Sequence, residues 1–355
     1  MDFHFTDDQL NFQASLRKVL EKECTAEHLR GLWYTDTGRS PGRWAKLAEL
    51  GLLGMLVPEA HGGLGMDEVD LVLLLEETGR VALPEPVVET AAVGAPLLRD
   101  TNLGAEWLPR LAAGDAIVAI GHVLNPCVAD AHIADLLLLP HGDALHAVPR
   151  NAVSLQGHAC NDPSRRLFRV DWTPTAATRL VHGAAAQRLG DAAFDRAALA
   201  CAAQQLGLGQ QMLDMGVRYA TERQQFGKPI GSYQAVKHLL ANVAVRLEFA
   251  RPVVYRAAFS VAHDTPSRAV DVSHAKLAAS EAAVLAAKTV HQVHGAIGYT
   301  WECDLHIWMK RAWALEMTWG TSAWHRARVA AAVIDAVAPA ETFGYNAPVG
   351  GSAKD

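Results

Sequence analysis

Tyr219-Ala-Thr-Glu-Arg-Gln-Gln-Phe-Gly-Lys-Pro-Ile-Gly-Ser-Tyr-Gln234 decides how this chain is read. The stretch closes one long amphipathic helix, breaks at Gly227-Lys228-Pro229 and opens another helix just after Gly231, because Gly and Pro punctuate helical patterns. Arg223 and Phe226 lie three apart, a spacing that predicts one shared helix face and one shared neighbour. A fixed guanidinium beside a ring, at a helix end, suits a phosphate next to a flat group. A plain capped turn in a helical bundle uses the same residues.

Working outward, the downstream pattern is helical. Val236, Leu240, Val243, Leu247, Ala250 and Val254 alternate steps of four and three, the inner stripe of a bundle. Residues 275–290 are alanine-rich, so that helix can pack closely. A last helix is expected from Ser322 to Val337, capped by Thr321 or Ser322. The tail past Pro339 is rich in Gly, Ala and Pro and is expected to be disordered.

Upstream, Thr6-Asp-Asp-Gln9 is a capping box that starts a helix over residues 6–30. Trp44, Leu47, Leu50 and Leu53 mark a second helix stopped by Gly54, and Asp67 caps a third through Arg80. Pro84 and Pro86 punctuate the step to a fourth. Pro58-Glu-Ala-His-Gly-Gly-Leu-Gly65 reads as a glycine-rich turn. It lacks the preceding strand and following Gly-Lys-Ser/Thr of a phosphate loop. Four short stretches (116–120, 135–139, 144–148 and 166–172) are bounded by Pro, Gly and Asn and read as strands. Helix resumes near Leu189. The order is helices, a small sheet, then a helical bundle.

The 355 residues are half apolar with a net charge of −6, which argues against nucleic acid as the main partner. Cys24, Cys127, Cys160, Cys201 and Cys303 form no C-x-x-C pair and read as reduced thiols of a cytoplasmic protein. The N-terminus shows no secretion signal, and no window reaches the roughly 20 apolar residues of a membrane span.

Three stretches, in this order and spacing, resemble the acyl-CoA dehydrogenase family. They are Gly51-Leu-Leu-Gly-Met-Leu-Val-Pro-Glu-Ala-His-Gly-Gly-Leu-Gly65, the Arg-x-x-Phe-Gly at Arg223, and Gln292-Val-His-Gly-Ala-Ile-Gly298. The likeness covers nearly the whole chain. It implies a mainly α fold: an N-terminal helical domain (1–115), a short middle β-domain (116–185), a C-terminal four-helix bundle (186–340) and a tail (341–355). It also implies FAD at a subunit interface, contacted by Arg223, Phe226, Gln234, Gln292, Gly295 and Thr321. Ala296 stands where the family has a second glycine. An acyl-CoA substrate and electron-transfer flavoprotein as electron acceptor follow from the same likeness.

The family removes an α-proton with a carboxylate while the β-hydride goes to the flavin. Counted without gaps, its usual base position falls on Trp319, which has no proton-accepting group. The alternative base position falls on Ala197, and the neighbouring Arg position on Ala198. Ile120-Gly-His-Val-Leu-Asn-Pro-Cys-Val-Ala-Asp130 carries none of the flavin-ring motif expected there, so that pocket is expected to be incomplete. Asp195 and Arg196 are candidate contacts for the CoA chain or a plain ion pair. Glu302 and Glu316 read as solvated carboxylates. His291 and His294 lack a third ligand for a metal. Trp319 is a candidate to fill the vacant acyl pocket.

Three readings remain. The chain is the Glu-less member of an α2β2 acyl-CoA dehydrogenase, completing the FAD site of a Glu-bearing partner subunit; several such assemblies oxidise CoA esters of steroid fragments. Or it is an active homo-oligomer with an unrecognised base such as Asp195. Or it is a flavin-free scaffold on the same fold.

Overall fold

A computed structural model describes residues 4–335; the tail beyond them, with the end of the helix expected to reach Val337, lies outside the described residues. Thr6 caps α1 (Asp7–Glu23), its hydroxyl accepting the Gln9 N–H while the Gln9 side chain accepts the Thr6 N–H. The helix expected over 6–30 breaks at Cys24, because Thr25 caps a separate α2 (Ala26–Leu32). α3 (Pro41–Glu49) ends before Leu53, since Gly51 turns the chain with φ +81°. Asp67 caps α4 (Glu68–Arg80) as its side chain accepts the N–H groups of Val69 and Asp70. The fourth helical region divides into a π-helical stretch (Val88–Gly94), α5 (Ala95–Arg99) and α6 (Gly104–Ala113).

The middle of the chain holds more strands than its apolar runs announce. One sheet has the order β1 (Val118–Ile120), β3 (Leu136–His141), β4 (Ala144–Pro149), β7 (Arg179–His182), with β1 and β3 parallel and the other pairs antiparallel. A second sheet joins β2 (Val128–Ala129), β6 (Leu167–Asp171) and β5 (Ser154–His158). β2, β5 and β7 escape a hydrophobicity pattern because they are short or largely exposed. Ala119, Val128, Leu137, Leu139 and Val148 form a small core of their own.

The bundle opens with α7 (Ala184–Glu222), which begins five residues before the helix expected at Leu189. After the hairpin β8 (Gln224–Gln225) and β9 (Lys228–Pro229) come α8 (Gln234–Ala262), α9 (Arg268–His294), a 3₁₀ turn (Gly295–Tyr299), α10 (Leu305–Met317) and α11 (Ser322–Val333). Leu240, Val243, Leu247, Ala250 and Val254 are buried, as their stripe predicts. So are Ala275, Ala279, Ala282, Ala283, Ala286 and Ala287, which let α9 lie close to its neighbours. Among the described residues no helix is long and apolar enough to cross a membrane.

The N-terminal helices join the bundle where α4 crosses α7 backbone to backbone. A Cβ on Gly207 would overlap the Glu76 carbonyl oxygen, and one on Gly79 would overlap that of Gln204. Buried Glu76, beside the crossing, accepts from Arg251 and from the Tyr255 hydroxyl (3.0 Å), tying α4 to α8 as well. Because the obstructing atoms are backbone, Gly207→Ala is expected to lower unfolding stability by about 3 kcal/mol or to prevent folding. Urea denaturation of that variant checks the crossing; wild-type stability would contradict it.

Candidate functional site

The residues singled out by sequence fall at two ends of the bundle. At the first end, α7 stops at Glu222 and Arg223 is already extended (φ −70°, ψ 123°). Arg223 and Phe226 therefore do not share a helix face. The chain instead makes a two-residue hairpin turn, with Phe226 at φ 53° and Gly227 at φ 78°, the geometry of a type I′ turn. Glycine adopts such a φ freely, whereas a bulky ring is held there under strain. Phe226 is 92% exposed. Tyr233 fixes the hairpin: its hydroxyl donates to the Gln225 carbonyl at 3.1 Å, its ring meets Phe226 edge-on at 6.5 Å, and the Lys228 ammonium stands 4.4 Å over it.

α9 ends beside this hairpin, since the Tyr219 ring of α7 stacks on His294 at 4.3 Å. Gly295 turns the chain with φ +64°, and a Cβ built there meets nothing within 4 Å. Arg223, Gln234, Gln292 and Gly295 are all exposed. Among the described residues no carboxylate pairs with Arg223, so a free guanidinium, two free amides and an open main-chain turn share one bundle end. That set fits the phosphate and adenosine side of a dinucleotide.

At the second end lies the turn from α10 to α11. Trp319 sits there in a left-handed conformation (φ 56°) and is 2% exposed. Its N–H donates to Asn125 at 3.0 Å, and its ring packs on His122 and Phe194. Buried Lys276 of α9 donates to the carbonyls of Leu315 (3.0 Å), Glu316 (3.2 Å) and Gly320 (3.3 Å), which saturates the end of α10. Burial pushes the Lys276 pKa down. His325, wholly buried, binds the Trp319 carbonyl through Nε2 at 2.8 Å. Thr321 caps α11 by accepting the Trp324 N–H, and so lies at this end, away from the other expected cofactor contacts. Lys276 is 18 residues before His294 on α9, which separates the two ends by about 27 Å.

Ala197 and Ala198 are wholly buried on α7, between Phe194 and Cys201. Asp195 is 1% exposed, with one oxygen held by Arg268 (2.9 Å) and the other by Arg328 (3.2 Å). Arg196 pairs with Glu68 at 2.6 Å. Asp195 and Arg196 thus form interior ties between elements. Glu316 accepts the Ser322 N–H at 3.0 Å, whereas Glu302 is exposed. His294 Nδ1 bonds the Val290 carbonyl, and among the described residues no group of His, Cys, Asp and Glu is arranged to hold a metal.

Sequence reading missed Glu89, Asn125, Arg165, Lys276 and His325. Glu89 and Arg165 line a cavity of about 510 Å³ beside Trp319, between α10 and the loops around Asn125 and Cys160. No short-range motif unites residues so distant in sequence.

Comparison with known proteins shows the family. The N-terminal domain of acyl-CoA dehydrogenases matches residues 6–115, and their C-terminal domain matches residues 180–334. Acyl-CoA dehydrogenase IpdE2 of Mycobacterium tuberculosis is 34% identical over 308 residues, which span 86% of this chain and 91% of that protein. Among solved structures, a chain of the ChsE4-ChsE5 complex from Mycobacterium tuberculosis superposes with a TM-score of 0.84 at 25% identity, over 95% of this chain and all of that one. Butyryl-CoA dehydrogenase from Megasphaera elsdenii shares the fold at 21% identity (TM-score 0.83, 94% of this chain and 100% of that one).

The Trp319 turn has a pH signature. Burial lowers His325 from its usual 6.5 to about 4, so the fold holds it neutral. Its contribution is complete above pH 6.5 and is lost as pH falls toward 4, by ~3 kcal/mol in all. Wild-type stability is expected to fall between pH 7.5 and 4.5 by ~2–3 kcal/mol more than that of His325→Gln. Identical pH profiles in chemical denaturation would rule this out.

Proposed function

Because the chain belongs to the acyl-CoA dehydrogenase family, whose members depend on FAD, we propose that it is the subunit without a catalytic base in a heteromeric acyl-CoA dehydrogenase. Arg223, Phe226, Gln234, Gln292 and Gly295 hold the outer part of an FAD whose reactive ring lies in a Glu-bearing partner subunit. When bound, FAD supplies the hydride acceptor for α,β-dehydrogenation of an acyl-CoA. This chain supplies charge and main-chain contacts, and no proton acceptor at Trp319 or Ala197.

The observation that carries this reading is the separation of the two ends. The phosphate-suited groups face outward, unpaired, about 27 Å along α9 from a base turn filled by buried Trp319. A partner surface is also at hand. Leu239, Val245 and Phe249 lie on the outward face of α8, Phe249 being 75% exposed, an apolar stripe that a neighbouring subunit can cover. The similarity to a chain of the ChsE4-ChsE5 complex supports a heteromeric assembly. Five unpaired thiols support a cytoplasmic setting, with electron-transfer flavoprotein taking electrons from the partner's flavin. The ties on both oxygens of Asp195 weigh against that residue as a substitute base.

Co-expression with a Glu-bearing paralogue tests the proposal. The complex is expected to carry FAD and oxidise acyl-CoA, while the chain alone does neither; turnover with stoichiometric FAD by this chain alone would overturn it. In the complex, Arg223→Ala is expected to weaken FAD binding by about 10- to 100-fold, the usual worth of a charge-assisted contact. Unchanged occupancy in the absorbance spectrum would remove Arg223 from the clamp.

A further inference from the structure

A second concave space lies over the α4–α7 crossing, where α1, α4, α7 and α8 meet. It is a cavity of about 250 Å³ walled by side chains from these four helices. Gly207 completes the wall with bare backbone, since the crossing leaves no room for a side chain there. Three guanidinium groups converge on the space from three helices: Arg17 from α1, Arg80 from α4 and Arg251 from α8. Two buried carboxylates, Glu76 and Glu77, stand between them. Gln210, the α7 residue of the wall, lies 13 positions before Arg223. That puts the cavity about 20 Å along α7 from the outward clamp.

The hydrogen bonds around this space are unequally spent. Glu77 accepts from Arg17 Nε (2.8 Å) and Nη2 (2.5 Å), and from the Gln13 amide at 2.8 Å. Glu76 accepts from Arg251 Nη1 on one oxygen and from the Tyr255 hydroxyl on the other. The Gln210 amide oxygen takes Arg251 Nη2 at 3.2 Å. Asp214, outside the wall, takes Arg80 Nη2 at 2.6 Å and the Gln210 amide at 2.9 Å. Every carboxylate oxygen of the wall is therefore occupied. Arg17 Nη1, Arg80 Nε and Nη1, and Arg251 Nε have no partner among the described residues. Against these four donors the side chains of the wall leave one free acceptor, the Gln13 amide oxygen.

A wall with donors left over and its carboxylates spent calls for a guest that only accepts, which is an anion. A planar carboxylate presents two oxygens to a single fork. A tetrahedral phosphate presents oxygens in diverging directions, and so can meet guanidinium groups that arrive from separate helices. The volume lies below the roughly 300–1,000 Å³ of sites for larger ligands, which suits a small guest.

We propose that this cavity binds a phosphate group, free or on a small ester, through Arg17, Arg80 and Arg251, and that the bound anion ties α1 to the bundle. The site is independent of the FAD clamp and of whether the chain carries a base, and it involves no covalent step.

Calorimetric titration of the full-length chain, at constant ionic strength, reads the site. Inorganic phosphate is expected to saturate one site per chain below about 10 mM, with acetate and chloride at least about tenfold weaker. Arg80→Gln should lose about tenfold or more in affinity. That variant leaves behind only Asp214, whose side chain is 41% exposed and stays solvated, so the fold is kept. Asp214→Asn frees Arg80 Nη2 and removes a nearby negative charge. It should bind about threefold tighter, a gain that a folding defect cannot mimic. Arg223→Ala should bind as wild type does. Glycerol 3-phosphate distinguishes the sources: tighter binding than inorganic phosphate assigns the site to an ester, and equal or weaker binding assigns it to the free anion. Absence of saturation at about 50 mM phosphate would overturn the proposal, as would acetate matching phosphate. So would wild-type affinity in Arg80→Gln, unchanged or weaker binding in Asp214→Asn, or loss of binding in Arg223→Ala.

Discussion

The contact between α4 and α7 at Gly79 and Gly207 governs what the rest of the molecule can do. Two helices that touch through backbone leave no room for adjustment, so every residue carried beyond the crossing is placed by it. Leu83 to Glu89 follow directly from α4, and Cys201 and Gln204 sit on the facing side of α7; together they enclose the interior beneath Trp319. The buried ties of Glu76 to Arg251 and Tyr255 hold the third helix of this junction at the same depth. Such ties resist disruption because removing one partner strands a buried charge. The N-terminal helices are thus one wall of the bundle's interior, and their separation from it would open the cavity to water.

The Trp319 turn shows how a turn can be held independently of the side chain at its centre. Its shape depends on groups that are indifferent to the side chain at position 319. Lys276 saturates three carbonyls, His325 takes the Trp319 carbonyl, and Thr321 caps the next helix. Gly320 is required for close approach, since a Cβ there would lie 2.7 Å from the His325 ring. All these bonds are to main chain, so replacing the side chain costs them nothing. A large ring then fits, packed on Phe194 and His122.

The legible parts of the fold were those written in local chemistry. The Thr6 box, the Asp67 cap, the α8 stripe and the alanines of α9 each act within a few residues, and each appears where its pattern places it. Spacing misled at Arg223 and Phe226, because a three-residue interval implies a shared face only while the helix continues. There the backbone had already passed into a hairpin whose two-residue turn puts φ > 0 on a phenylalanine, a choice that propensity disfavours. β2, β5 and β7 were lost because their stability comes from pairing, which composition does not encode. For the site, resemblance singled out Trp319 and the outward groups as candidates, but not what surrounds them. Glu89 and Arg165 lie 76 positions apart in the sequence and meet only through the fold.

The two ends of the bundle differ in how far their groups are used within the chain. Contacts at the outward end are unpaired in the chain itself: a free guanidinium, exposed amides, a ring at 92% exposure in a strained turn. None of these stabilises the isolated fold, and strain with exposure of that kind is retained where something outside the chain uses it. The inner turn is bonded through the Trp319 N–H and carbonyl and buries its indole, although Trp319 too is held in a left-handed conformation. The two ends therefore differ in exposure: the outward groups are open to a neighbouring subunit, as proposed, and the inner ones are enclosed.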